Sequence, residues 1–214
     1  MKHIIVVLCI LSAFAVQAQD MKSLFIALPD SLSPLLTKVN REDFGDFLAS
    51  NMKAEVRNRF GQTSEMKKLT DDYLFLQASS ASTIEMKLLP VTDTTQVICV
   101  VRTYMAPAAD SDVSFYDTTW KELPANQFLA LPEETQFYKA TQNSAQADSL
   151  KNLRISADMY LLKAELSEKD TTLSFTYTTP DYMDKETARK LNPFLLDKPL
   201  TYRWTNGKFV ISEN

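Results

Sequence analysis

The segment Gln96–Tyr104 constrains the fold most strongly. Its centre, from Val97 to Val101, is five consecutive apolar residues, of which four are Val or Ile. Polar residues precede the run at Asp93–Thr95, and Ala106-Pro107 follows it. A short apolar run between turn residues fits a strand that is covered on both faces, because β-branched side chains lose little χ1 freedom on a packed sheet. We therefore predict a central strand at Val97–Val101, with packing layers above and below it.

Alternating patterns on both sides of this strand predict its neighbours. In Thr83–Leu89, apolar residues at every second position alternate with Glu85 and Lys87, which predicts one core face and one face in water. Short connections between such runs predict an antiparallel meander. Near the end of the chain, Asn206-Gly207 predicts a hairpin, because both turn positions require positive φ. The other predicted strands are Tyr73–Gln77, Asp112–Tyr116, Met159–Leu166 and Thr172–Thr178.

A helical pattern comes before the sheet. An apolar stripe at spacings of three and four predicts an amphipathic helix that begins at the cap Asn40 and ends at Gly61. The stripe is Phe44, Phe47, Leu48, Met52, Val56 and Phe60. Shorter helices are predicted over Pro34–Val39, Ala145–Leu153 and Asp181–Leu191. The predicted class is therefore α+β, an antiparallel meander sheet of about seven or eight strands packed by an N-terminal amphipathic helix and one or two short helices.

The N-terminus has the pattern of a secretory signal peptide. Lys2 precedes an apolar run over Ile4–Val16, and the small residue Ala18 follows it. The run is too short to span a membrane, which takes about 20 apolar residues. We expect cleavage after Ala18 and a periplasmic or secreted product with no stable membrane anchor. The expected domains are a signal peptide at 1–18 and a single α+β domain at 19–214, with two similar subdomains at 19–125 and 126–214 as the alternative.

Cleavage would also change the chemistry available to the chain. His3 and Cys9 would be lost, which leaves no histidine and one cysteine, Cys99, together with 22 Lys and Arg against 27 Asp and Glu. An acidic chain without a basic tract is not expected to bind nucleic acid. Absent histidine argues against serine or cysteine triads and His-based zinc sites, and we expect no metal and no cofactor. We expect Cys99 to be a buried structural thiol.

Two catalytic alternatives survive this exclusion. Ser64 and Lys67 have the Ser-x-x-Lys spacing of penicillin-recognising enzymes, in which the lysine activates a hydroxyl one helical turn away. The companion motifs of those enzymes are missing from the sequence. Paired carboxylates that cleave glycosides must face each other at about 5–9.5 Å, and the sequence nominates no particular pair. We therefore predict no catalytic residues.

Four aromatic residues near strand ends are the candidate binding residues. Exposed Trp and Tyr side chains would form a recognition patch, since both are enriched at binding hot spots. The alternative is that they fill the core while a polar ring atom reaches a hydrogen-bond partner. The four residues are Tyr116, Trp120, Tyr202 and Trp204.

Several stretches together carry a resemblance to a known family. They are Leu28–Leu32, Asn40–Phe44, Met52–Val56, Gln96–Thr103, Val113–Tyr116, Trp120, Thr179–Tyr182 and Trp204–Val210. Through these stretches the chain resembles a Bacteroidales-type family of exported proteins of unknown function, over nearly the whole of residues 19–214. This resemblance implies a periplasmic or secreted protein of a Gram-negative bacterium, and it implies no activity and no catalytic residues.

These observations lead to one functional prediction and two alternatives. The leading prediction is an exported, non-enzymatic envelope protein that binds a partner protein or a glycan through a sheet face or an aromatic edge. One alternative is a hydrolase of cell-wall or other polysaccharides that uses carboxylates or the Ser64–Lys67 pair. The other is a carrier of a small apolar ligand, which requires an apolar cavity between the sheet and the long helix.

Overall fold

The computed structural model describes residues 19–212, in which two antiparallel sheets and several helices follow one another along the chain. The predicted signal peptide at 1–18 lies outside these residues. The helices are α1 (Met21–Ala27), α2 (Lys38–Ala49), α3 (Ser144–Ile155), α4 (Thr179–Tyr182) and α5 (Lys185–Leu191). The strands are β1 (Glu55–Arg57), β2 (Thr63–Leu69), β3 (Tyr73–Ser79), β4 (Ser82–Pro90), β5 (Gln96–Tyr104), β6 (Asp110–Asp117), β7 (Glu122–Leu123), β8 (Leu162–Leu166), β9 (Thr172–Tyr177), β10 (Leu200–Thr205) and β11 (Lys208–Ile211).

The larger sheet is a meander in which spatial order equals chain order, from β1 to β7. Each strand pairs antiparallel with the next, and β4 and β5 stay in register from Ser82 opposite Tyr104 to Pro90 opposite Gln96. The smaller sheet has the order β11-β10-β9-β8. These features confirm the predicted α+β class and the antiparallel meander.

Strand β5 is covered on both faces, as its composition predicts. Val97, Cys99 and Val101 belong to the apolar core that the large sheet shares with the small sheet. Ile98 and Val100 belong to a second core, between the large sheet and the N-terminal helices. Because successive side chains on a strand point to opposite faces, this single apolar run contributes residues to two separate cores. The core between the sheets joins residues of 19–125 with residues of 126–214, and the single-domain organisation stays a prediction.

Strand β8 lies across β4, β5 and β6 at the edge of the small sheet. Its N–H groups that face away from β9 donate to side chains of the large sheet, so the strand edge does not present free donors. The three hydrogen bonds run from Leu162 N to Asp110 Oδ1 (3.1 Å), from Ala164 N to Ser111 Oγ (2.9 Å) and from Leu166 N to Glu85 Oε2 (2.9 Å).

The N-terminal amphipathic helix is shorter than predicted. Helix α2 begins after the cap Thr37 rather than at Asn40, and it ends at Ala49. Asn51 then adopts a φ of 54°, which turns the chain out of the helix. Val56, predicted on the helical stripe, is buried in β1 because β1 pairs with β2. Phe60, the last residue of the predicted stripe, is 71% exposed.

The predicted helix over Pro34–Val39 is wrong, because residues 34–37 form a turn and loop and the helix begins at Lys38. Most other predicted elements are present with shifted ends. Helix α3 begins at Ser144 after the cap Asn143, and α5 begins at Lys185 after the cap Asp184. The predicted hairpin is confirmed, with φ of 51° at Asn206 and 77° at Gly207. Strand β2 was not predicted, because its run of charged residues hides the alternation.

The predicted water-facing side of β4 is wrong. Glu85 and Lys87 are 8% and 2% exposed, because the small sheet packs over this face. Lys87 Nζ lies 2.9 Å from Asp72 Oδ2 and donates to the carbonyl of Glu168 at 3.1 Å. Buried charges on an otherwise apolar face are paired in this way because an unpaired buried charge is costly.

Candidate functional site

A groove opens on the helix-covered face of the large sheet, near the strand ends that include Ser82 and Tyr104. Its volume is about 370 Å³, within the range of ~300–1,000 Å³ that is common for small-molecule sites. We call it the open-end groove. Its wall is the segment 31–36, between α1 and α2, and Tyr104 and Asp112 lie at its rim. Its floor includes Leu76, Ala78, Ile84, Arg102, Ser114 and Tyr116.

The period of the strands brings the floor side chains together. Ile84 on β4 is opposite Arg102 on β5, and Arg102 is opposite Asp112 on β6, so the three residues form a row across the sheet. They lie on the same face of the sheet as Ile98 and Val100, because residues two apart on a strand point the same way. Helices α1 and α2 cover the row of Ile98 and Val100, whereas the groove exposes the row of Arg102.

The groove wall is held in place by two arginines. Arg41 of α2 is 3% exposed, and its guanidinium donates to the carbonyls of Leu28 (2.6 Å) and Leu36 (3.1 Å). Arg41 also contacts Asp30 Oδ1 at 3.1 Å, and Arg59 contacts Asp30 Oδ2 at 2.6 Å. The hydrogen bonds from Arg41, followed by those from Arg59, lower the pKa of Asp30. Contacts within the chain therefore hold the wall in position without any contribution from a ligand.

Arg102 is the basic residue of the groove lining. It is half-buried, and its Cζ lies 6.0 Å from the centroid of the Tyr116 ring, a cation–π distance. Among residues 19–212 it has no ion-pair partner within 4.0 Å. Asp112 is its cross-strand neighbour, but Asp112 Oδ2 accepts a hydrogen bond of 2.6 Å from Ser114 Oγ. The lining thus combines apolar side chains with one guanidinium whose N–H donors are not used in an ion pair.

The four predicted aromatic residues are buried, and the structure does not bring them into one exposed patch. Tyr116 and Trp120 belong to the core under the helices, and Trp120 Nε1 donates to Leu24 O at 3.0 Å. Tyr202 and Trp204 belong to the core between the sheets. This corrects the prediction of an aromatic recognition patch, because the two pairs pack on opposite faces of the large sheet. Core filling with a bonded ring nitrogen, the alternative, describes both tryptophans.

The Trp204 ring shows how this core filling works. Its Nε1 donates to the carbonyl of Pro90 at 2.6 Å. The ring lies 4.9 Å from Phe209 and 6.1 Å from Phe128, measured between centroids. Aromatic pairs at such distances stabilise a core beyond their buried area. Of the four predicted residues, Tyr116 alone is also part of the groove lining.

Ser64 and Lys67 do not have the geometry of a Ser–Lys pair. Both lie on β2, an extended strand whose register shifts between Met66 and Lys68, whereas the pair requires one helical turn. Ser64 is buried, and its Oγ donates to the carbonyl of Ala78 at 2.6 Å. Lys67 is exposed and pairs with Glu65 at 2.6 Å. The Ser-x-x-Lys spacing therefore does not bring the two groups together, because these residues lie on a strand.

One buried carboxyl group was missed by sequence reasoning. Glu85 Oε2 accepts hydrogen bonds from Tyr73 Oη (3.2 Å) and Leu166 N (2.9 Å), between the two sheets. Burial raises the pKa of Glu85 to about 7. The residue lies on the face of β4 opposite to Ile84 and the groove. Its contacts join the sheets, so we assign it a structural role.

Other side-chain chemistry in the described part of the chain is limited. Cys99 is a free buried thiol, and burial raises its pKa, which leaves little reactive thiolate. Between residues 19 and 212 no group of three or more His, Cys, Asp or Glu side chains is placed to hold a metal ion. No helix in that same stretch is long and apolar enough to cross a membrane.

Arg102 and the wall 31–36 were also not predicted as site residues. A signal for Arg102 was present, since it continues the row of Ile98 and Val100 on the most apolar strand. A charged residue in that row indicates either a buried ion pair or a local opening of the covering layer. The wall has no comparable sequence signal, because contacts from Arg41 and Arg59 place it beside the groove.

Comparison with known proteins gives a family and a similar solved structure, and neither comes with a known activity. Residues 13–209 match the family described as "Protein of unknown function (DUF3256)". A solved structure of a domain of an uncharacterized protein from Porphyromonas gingivalis W83 is similar, with a TM-score of 0.79 and 28% sequence identity. The match covers 90% of this chain and 98% of that chain. No curated protein matches the sequence. These findings are consistent with the Bacteroidales-type resemblance.

Proposed function

This chain belongs to the DUF3256 family of unknown function, and we propose that it is an exported, non-enzymatic binding protein of the bacterial envelope. Its binding site is the open-end groove, which takes the apolar part of a small molecule. The observation that carries this proposal is a groove on the sheet face whose exposed lining is mostly apolar, with hydroxyl groups, Arg102 and Asp112 among the lining residues. Concave apolar sites with few polar groups are typical of small-molecule binding.

The groove favours a small ligand over the other predicted partners. Binding of a glycan or a protein at an aromatic edge would need exposed rings, and Trp120, Tyr202 and Trp204 are all buried. Binding at a sheet face, the other part of that prediction, agrees with the groove. The groove is flanked by the wall segment 31–36, and its lining residues include none from α2, the long helix that the carrier alternative required.

The same contacts support binding rather than hydrolysis. Asp112 is the one carboxyl group among the groove-lining residues, whereas glycoside cleavage needs two facing carboxyl groups. Ser64 is buried and donates to a backbone carbonyl, whereas Lys67 is exposed and pairs with Glu65. The lining therefore supplies contacts to a ligand and lacks a carboxyl pair that would attack it.

Export rests on the composition of residues 1–18. Expression of the full chain in a Gram-negative host, followed by cell fractionation and N-terminal sequencing, tests it. We expect a periplasmic or secreted product that begins at Gln19. Replacing the small residue at the cut site, Ala18→Trp, should leave uncleaved protein, since cleavage requires a small residue there. An unprocessed cytoplasmic product from the unaltered chain would contradict export.

Ligand binding can be tested with an uncharged apolar probe. Titration of isotope-labelled protein with octanol, followed by NMR, should give saturable shifts at Ile84 and in the wall 31–36. Ser114→Phe should abolish these shifts, because the new ring fills the floor of the groove. Ser174→Phe is the matched control, since Ser174 lies on β9 at a half-buried position that points away from the core. Shifts that spread over the surface, or that survive in Ser114→Phe, would refute the groove as the site.

A further inference from the structure

We propose that the ligand of the open-end groove is a small molecule that joins a carboxylate to an apolar body, and that Arg102 binds the carboxylate. This inference rests on the proposed function and adds the chemical class of the ligand. It comes from a guanidinium that the fold places in an apolar floor without an ion-pair partner in the described chain.

The position of Arg102 makes its charge available inside the groove. It lies in the middle of the row across β4, β5 and β6, between Ile84 and Asp112. Its half-buried side chain is partly removed from water, so an anion placed against it meets a lower effective dielectric than at the surface. By contrast, the two arginines that hold the wall, Arg41 and Arg59, both pair with Asp30.

The guanidinium of Arg102 suits a planar anion. Its carbon lies 6.0 Å from the Tyr116 centroid, at the outer limit of a cation–π contact, and such a contact uses none of the guanidinium N–H groups as hydrogen-bond donors. Those donors form a fork that matches the two oxygens of a carboxylate. A neutral apolar ligand would leave the fork unpaired under the ligand, which costs binding free energy. The groove should therefore select against the uncharged analogue.

The negative charge of Asp112 works against the preference for a carboxylate ligand. It is exposed at the rim on the strand next to Arg102, and its Oδ2 already accepts from Ser114 Oγ at 2.6 Å. Its negative charge weakens the field that an incoming carboxylate meets without neutralising Arg102 through direct contact. Removing that charge should raise the affinity for a carboxylate and leave the affinity for a neutral ligand unchanged.

The apolar body has its own contacts. Leu76, Ala78 and Ile84 form the apolar floor, and the wall contributes Leu32 and Leu35. A cavity of about 370 Å³ accommodates a medium-length alkyl chain or an aromatic ring with its acid group. We therefore use octanoate as the probe, with octanamide as its neutral analogue of equal length and octylamine as its cationic analogue.

Calorimetric titration at pH 7.5 and low salt tests the inference on the chain 19–214. We expect octanoate to bind at least tenfold more tightly than octanamide, and octylamine to bind no more tightly than octanamide. Arg102→Gln should remove the preference for octanoate, because octanoate loses its charged partner and octanamide no longer covers an unpaired fork. Arg102→Lys should keep part of the preference, because the charge remains and the fork is lost. Asp112→Asn should increase the preference about threefold.

The outcomes separate this inference from the function on which it rests. Equal binding of octanoate and octanamide in the groove would overturn the carboxylate inference and leave the apolar binding function intact. Binding of neither probe, with no NMR shifts at Ile84 or Ser114, would overturn both. A preference that persists in Arg102→Gln would overturn the assignment to Arg102. Thermal unfolding of each variant shows whether a loss of binding comes from a loss of fold.

Discussion

The buried carboxyl group of Glu85 makes the stability of the protein depend on pH in a specific way. Glu85 is 8% exposed between the sheets, and burial raises its pKa from 4.5 to about 7. Its hydrogen bonds to Leu166 N and Tyr73 Oη partly offset this effect. In the unfolded chain the group should titrate near the ordinary value of 4.5. The folded protein therefore binds a proton that the unfolded chain has released at intermediate pH.

The sign and size of the effect follow from this difference. The folded-state pKa is above the unfolded value, so the contribution of Glu85 to stability is fully present below pH 4.5 and is lost as the pH rises through about 7. Each pKa unit corresponds to about 1.4 kcal/mol, which gives a total change of about 3 kcal/mol in the free energy of unfolding. At pH 8 the folded protein must keep a charged carboxylate in an apolar core.

The variant Glu85→Gln isolates this contribution. The amide oxygen can still accept from Leu166 N, and the side chain does not titrate. Denaturant unfolding of both proteins between pH 4 and 8.5 gives the free energy of unfolding at each pH. We expect the variant to gain stability relative to the unaltered protein as the pH rises, by about 3 kcal/mol in total. Other titrating groups cancel in this difference.

Glu186→Gln is the control, since Glu186 is an exposed acid on α5 that pairs with Lys190. Its difference curve should stay within about 0.5 kcal/mol over the same range. A difference curve for Glu85→Gln that is flat, or that falls with rising pH, would refute the reasoning. Either result would mean that the folded protein stabilises the carboxylate at least as well as water does.

Two further predictions concern the groove wall and the closing hairpin. Arg41→Gln should lower the free energy of unfolding by about 2–4 kcal/mol, because two buried carbonyls and Asp30 lose a charged donor. Arg59→Gln, which removes an exposed pair, should cost no more than about 1 kcal/mol, and equal losses in denaturant unfolding would contradict the buried clamp. Gly207→Ala should cost about 1 kcal/mol in thermal unfolding, since φ at this position is 77°. No change in stability would show that the hairpin tolerates a side chain at positive φ.

Local patterns were sufficient for several elements of the fold. The run Val97–Val101 predicted a strand covered on both faces, and Asn206-Gly207 predicted a hairpin, because each signal depends on residues that are adjacent in the chain. Helix α3 was also found to within a turn from its cap and composition. These predictions need only the local preferences of the backbone and the period of the side chains.

The N-terminal helix shows where local patterns stop. The apolar stripe from Phe44 to Phe60 has helical spacing. However, the helix ends at Ala49, and Val56 lies in β1, which pairs with β2 at the edge of the large sheet. Pairing with a strand and burial against it compete with the helical pattern, and the distant partner decides the outcome. The export signal remains a prediction from the sequence alone.

The order of apolar and polar residues is enough to predict an acidic α+β protein whose central strand is covered on both faces. What covers each face depends on the packing of segments that are distant in the chain. The small sheet buries Glu85 on the face of β4 that the pattern predicted to be in water. On the opposite face of the large sheet, the helices leave Arg102 partly uncovered in the groove. Alternation distinguishes two faces of a strand, but the layer that packs on each face is fixed by contacts between residues far apart in the chain.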